Sequence, residues 1–134
     1  MNIEEVREFF KNDRYATDTT GIRIEEADEG MSRVSLILDE RHKNALGHVM
    51  GAVYTTMIDF AFAVASNCGG TPTVTLQTSV SFMHSAKGPA LEARAERINE
   101  TGKTCVYRVS VTDEDGTLLT QAVITGYKVR KESH

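Results

Sequence analysis

With 134 residues, 40% of them apolar and 25% charged, and only two prolines, the chain has the balance of a folded soluble protein and the length of one domain, 1–134. Its net charge of −4 excludes the broad basic footprint of a nonspecific nucleic-acid binder, so no nucleic-acid partner is expected. Cys68 and Cys105 lack the close CxxC spacing of metal and redox sites and are expected to be reduced core thiols.

The acidic, amphipathic opening MNIEEVREFFKND is unlike a secretory signal, which starts basic and turns apolar, so a cytoplasmic location is expected. Within it, Ile3, Val6, Phe9 and Phe10 recur at helical spacing and predict a short helix. Two β-rich runs follow, GIRIEEA and MSRVSLILDE, joined by Asp28-Glu29-Gly30 as a hairpin turn. The polar, glycine-containing loop ERHKNALGHVM leads into GAVYTTMIDFAFAVASNC, a long apolar helix stopped by Gly69-Gly70-Thr71-Pro72. In TVTLQTSVSF, Val74, Leu76, Val80 and Phe82 alternate with polar residues and predict a strand with one buried face. Three further strands are predicted at Ala90–Asn99, at CVYRVSVTD and at TLLTQAVITGYKVRK, with turns at Asn99–Gly102 and Asp113–Gly116. The class is α+β: an antiparallel sheet curled around one long helix, preceded by a short N-terminal helix. That helix is apolar all round and one sheet covers one side, so a homo-oligomer is expected to hide the rest. Thr55, Thr56, Asp59, Ser66 and Asn67 interrupt the helix and exclude the roughly 20 mostly apolar residues of a membrane span, so no membrane partner is expected.

From Val49 to Asn67 the one acidic or basic side chain is Asp59, between Ile58 and Phe60, with no intrahelical partner three or four positions away. A buried unpaired carboxylate is costly, and a carboxyl in such a place is a candidate acid or base; the competing reading puts it on a solvated stripe or a subunit contact. Gly51 stands where the helix begins, and the first amides of a helix, unpaired within it, attract developing negative charge. Eight residues of helix separate Gly51 from Asp59 by about 12 Å, too far for both to grip one atom within one chain. The pair becomes one site when the glycine of one subunit faces the carboxylate of another.

These residues resemble the hot-dog-fold acyl-CoA thioesterases of the phenylacetate-pathway and 4-hydroxybenzoyl-CoA type, over nearly the whole chain. That family's signature, N-x-x-G-x-x-H-G-G, six residues, then Asp or Glu, aligns with NALGHVMGA, VYTTMI and Asp59. Asn44, Gly47, Gly51 and Asp59 match, whereas Met50 replaces the usual histidine and Ala52 the second glycine. The resemblance implies a hot-dog fold and hydrolysis of an acyl-CoA or related pantetheine thioester at the interface of a homodimer or homotetramer. Asp59 is then general base or nucleophile, the Gly51 amide the oxyanion donor, and Asn44 a group that positions water or the carboxylate. It further implies substrate contacts from Met50, in the histidine position, from His48 two residues before it, which takes over part of the missing histidine's role against the plainer reading of a loop histidine in water, and from His84 or Ser85 after the third strand. Lys87, Arg94, Arg97 and Lys103 are candidates for coenzyme A phosphates, against the plainer reading that they decorate solvated faces. No cofactor is expected beyond the coenzyme A of the substrate, and no metal, because His42, His48, His84 and His134 form no ligand cluster.

Two other functions compete. A non-catalytic module that binds acyl-CoA is favoured by Met50, and an enoyl-thioester hydratase is disfavoured because no Asp stands beside His48.

Overall fold

The computed structural model describes residues 1–69 and 71–129. Helix α1 (Ile3–Phe10) is capped by Asn2, whose side chain accepts the Glu5 N–H while Glu5 reaches back to the Asn2 amide, and it buries Val6 and Phe10. Phe9, predicted to face inward, is 54% exposed. Strands β1 (Arg23–Asp28) and β2 (Met31–Ile37) form the expected antiparallel hairpin, with Gly30 at φ 84° in its turn. Helix α2 (Gly51–Asn67) is followed by β3 (Thr73–Phe82), β4 (Ala90–Glu100), β5 (Thr104–Asp113) and β6 (Leu118–Lys128). The six strands make one antiparallel sheet in the order β1-β2-β4-β5-β6-β3. Gly70, the last residues of the final predicted run (130–131) and His134 lie outside the described residues.

The sheet wraps α2 because its inward positions are apolar: Val34, Leu36, Ala93, Ala95, Val109, Val111, Ala122 and Ile124 are all buried. From the helix, Met57, Ile58, Phe60, Phe62 and Val64 fill the concavity, and Phe62 meets Tyr107 edge to face at 5.2 Å. Burial pushes the Tyr107 hydroxyl up to about 12. Strand β6 passes so close to α2 at Gly126 that a Cβ there would lie 2.7 Å from the Phe62 ring and 2.8 Å from Cys105 Sγ. Gly126→Ala is therefore expected to cost about 1–3 kcal/mol, read as a lowered denaturation midpoint with an unchanged m-value.

Two segments carry no periodic sequence signal. Tyr15–Thr20 is a π-helix closed by Gly21 at φ 90°, and Glu40–His42 is one 3-10 turn in the loop before α2.

Strand β3 departs from its predicted pattern. It lies at the sheet edge, paired only with β6, and its register shifts between Thr75 and Gln77, leaving Leu76 as the extra residue of a β-bulge. A bulge reverses the alternation. Thr73 and Thr75 therefore face the helix before it, whereas Val80 and Phe82 do so after it. Val74 and Leu76, expected to share the buried face with Val80 and Phe82, are 50% and 60% exposed, and Phe82 itself is 56% exposed.

Candidate active site

Asp59 lies at the seam between α2 and the edge strand. Asn67 sets this seam: its Oδ1 accepts the Thr73 N–H (2.8 Å) and its Nδ2 donates to the Thr73 carbonyl (3.3 Å), pinning the start of β3 to the end of α2. Two residues on, Thr75 Oγ1 points its donor at Asp59 Oδ1 across 3.5 Å, a long and weak contact for a hydroxyl. The expectation that Asp59 is buried is corrected at the level of one chain: its side chain is exposed, because its own sheet covers the opposite side of α2. Partial desolvation nonetheless raises its pKa above the ordinary 3.8, with the Thr75 hydroxyl pulling weakly the other way. Asp13, in the turn after α1, is also raised, first by burial and then by the negative charge of Asp59. The helix face that carries Asp59 thus has a second carboxylate within electrostatic reach.

Gly51 is the first residue of α2, after Met50 in extended conformation, and no acceptor among the described residues meets its N–H. The Phe82 ring lies beside it, 3.6 Å from where a Cβ would stand, and stacks edge-on to Tyr54 at 6.2 Å. An alanine at 51 would make only ordinary contact within the chain. A glycine is therefore not needed there for packing within the chain, and what its missing Cβ leaves is an open approach to the amide.

Asn44 clamps the loop. Its Oδ1 accepts the Leu46 and His48 amides, each at 3.0 Å, and its own N–H donates to the His48 carbonyl at 2.7 Å, around Gly47 at φ 87°. Its Oδ1 is thus engaged with backbone, and only Nδ2 is left to meet water or substrate.

His48, Ser85 and Lys87 come together with Lys43, Gly47 and Gly88 in a cleft of about 350 Å3. Tyr54 supports the far wall, its hydroxyl accepting the Ala86 N–H at 3.4 Å. His84 is exposed and does not line this cleft. Met50 faces a separate depression of about 220 Å3 with Tyr15, Thr19, Arg41 and Thr56. The other basic candidates are elsewhere: Arg94 is 3.8 Å from Glu92, Arg97 is 3.2 Å from Glu100, and Lys103 lies beside Tyr127 and Lys128. Among the described residues no three His, Cys, Asp or Glu side chains group as a metal site.

Within one chain, then, the predicted residues fall into three places: Asp59 in mid-helix, Gly51 at its start, and the His48–Ser85–Lys87 cleft beyond. Sequence reading missed Thr75 and Lys43, and placed Phe82 in the core. The signal for Thr75 was hidden by the bulge, since strict alternation turns it away from the helix.

A curled six-stranded antiparallel sheet around one central helix, with a short helix in front, is the hot-dog fold. The chain belongs to the thioesterase superfamily, whose family model matches residues 46–120, and thioester hydrolysis is the general chemistry this membership supports. A provisionally named esterase of Archaeoglobus fulgidus is 30% identical over 132 residues, covering 97% of this chain and 85% of that protein. The E. coli PaaI protein of the phenylacetic acid degradation operon superposes with a TM-score of 0.83 at 19% identity, over 96% of this chain and 97% of that one. A hypothetical thioesterase of Streptococcus pneumoniae TIGR4, solved with coenzyme A, gives 0.83 at 22% identity, over 92% and 99%. These two likenesses are of fold.

Proposed function

We propose that the chain hydrolyses an acyl-CoA thioester to free acid and thiol, in a site that two copies share. The observation that carries this reading is Asp59: the one acidic or basic side chain of α2, its carboxyl pKa raised, on the helix face its own sheet leaves open.

In this reading two chains pair through β3, whose edge is unpaired and whose Val74, Leu76 and Phe82 are exposed. Asp59 of one chain then faces the Gly51 amide of the other. Asp59 takes a proton from water, and the resulting hydroxide attacks the thioester carbon. The Gly51 N–H receives the oxyanion, at the positive end of the α2 dipole. As the C–S bond breaks, the Asp59 carboxyl returns its proton to the departing thiolate. A raised carboxyl pKa suits a proton acceptor. Direct attack by Asp59 would instead form a mixed anhydride. Single turnover in 18O-water reads the anhydride route as label in Asp59, from water opening the anhydride at the Asp59 carbonyl; water attack at the acyl carbonyl labels the product acid on either route.

The His48–Ser85–Lys87 cleft, with Lys43, takes phosphate oxygens of coenzyme A. Lys87 makes no ion pair among the described residues, unlike Arg94 and Arg97, so its charge is free for a ligand. The coenzyme A held by the Streptococcus pneumoniae relative supports this ligand class.

The test is thiol release from aromatic and straight-chain acyl-CoAs, with acyl-pantetheines in parallel. Hydrolysis is expected, and Lys87→Ala should raise KM for acyl-CoA roughly tenfold, one charge-assisted contact, while leaving kcat and the pantetheine substrates unchanged. Saturable binding without turnover across the panel would refute hydrolysis and favour a binding module, for which Met50 in the histidine position is the argument.

A further inference from the structure

One histidine that the reaction does not use is more completely engaged than any in the site. His42, at the end of the 3-10 turn, is 2% exposed. Its Nδ1 accepts the Asp39 N–H at 2.9 Å, and its Nε2 lies 2.7 Å from the Thr20 carbonyl. A carbonyl only accepts, so Nε2 carries a proton, and with Nδ1 accepting the Asp39 N–H both ring nitrogens are occupied; the Asp39 carboxylate lies 3.4 Å from Nδ1. Next to it Arg41 donates to the Thr19 carbonyl at 3.0 Å, so two consecutive side chains hold the end of the π-helix that packs on α2.

The backbone of the same residue holds the peptide unit next to the oxyanion amide. The His42 carbonyl accepts the Met50 N–H at 2.9 Å, and the Met50 carbonyl accepts the Val53 N–H at 3.0 Å. That second carbonyl belongs to the peptide unit whose other end is the Gly51 N–H. That unit is thus held directly by the helix, while the unit before it, joined to it through the Met50 Cα, is held by a residue whose ring is bolted to Thr20. Met50 offers no side-chain cap to the helix, and the other ties in this loop, those of the Asn44 clamp across the Lys43–Val49 bridge, act on residues before Met50.

We infer that His42 is a positioning residue, aiming the Gly51 amide at the developing oxyanion by tying the loop before α2 to the Thr20 carbonyl. This rests on the reading of Gly51 as the oxyanion donor. Removing an oxyanion donor outright costs about a hundred- to a thousandfold in kcat, and a misaimed donor retains part of that.

The experiment pairs two substitutions that each keep half of the bridge. His42→Asn preserves an acceptor for the Asp39 N–H but cannot reach Thr20, and His42→Gln places an N–H near the Nε2 position. Expected are a fall in kcat of about ten- to a hundredfold for His42→Asn, recovery of most of it in His42→Gln, and unchanged binding of a non-hydrolysable thioether analogue of acyl-CoA in both. Hydrogen exchange at the Met50 amide is read in parallel, and it should quicken in His42→Asn and be restored in His42→Gln. Because it needs no turnover, it separates this inference from the thioesterase reading: if wild-type protein is inert, the exchange result still decides whether His42 holds the loop. Wild-type nitrogen NMR supplies a check that no folding defect can obscure, with the ring proton expected on Nε2. A kcat for folded His42→Asn within twofold of wild type, a rise in KM alone, undisturbed Met50 exchange, or a ring proton on Nδ1 would each overturn the assignment.

Discussion

Asp59→Asn is expected to lower thiol release by about 10²- to 10⁴-fold, the range spanned by a lost general base, without lowering the melting temperature. The second half of that expectation follows from the sign of the pKa shift. A carboxyl whose folded pKa is raised above 3.8 costs stability while charged. The cost is full above the folded pKa and disappears as pH falls through it toward the unfolded value. The asparagine chain should therefore melt above wild type at neutral pH, with the gap closing in acid. The same shift places the acid limb of kcat/KM above the ordinary aspartate range, because the base must be ionised to work. Asp13, raised in part by the charge of Asp59, should titrate lower in the variant, and carboxyl NMR reads this directly. A neutral variant that keeps turnover would remove Asp59 from the chemistry.

Leu76→Lys is expected to turn the protein into an inactive monomer. Leu76 is 60% exposed on the open edge, where a lysine is the residue that blocks strand-to-strand pairing. A two-fold contact contains each substitution twice, so about 1.5–3 kcal/mol of leucine burial is lost at two places while two like charges approach. Within one chain the side chain is the bulged residue of β3 and packs against no core, so the monomer should keep its fold. Sedimentation and thiol release measured on one sample decide the matter. A folded monomer with full activity would show that one chain carries a complete site.

Much of this arrangement could be read before any coordinates. The hairpin followed from Asp28-Glu29-Gly30, since glycine at φ 84° is what so short a turn requires. Helix α2 and its first residue followed from an apolar run opened by glycine, and Asp59 stood out as the single charge in it. What stayed hidden was long-range. The bulge at Leu76 depends on pairing with β6, and it exchanged Thr75 for Leu76 on the helix side of the strand. The π-helix over YATDTT has no apolar period to betray it; its anchors are the side chains of Arg41 and His42, some twenty residues away in the chain. The exposure of Asp59 reflects how far a single sheet reaches around an apolar helix, which composition alone does not specify.

The shared site is tested most directly by complementation. A chain carrying Asp59→Asn and a chain carrying Gly51→Val are each expected to be inactive. Unfolded together and refolded as a mixture, they should recover about a quarter of wild-type activity, because half the dimers are mixed and each mixed dimer has one site with both residues intact. Mixed dimers that form and remain as inactive as the parents would contradict the account.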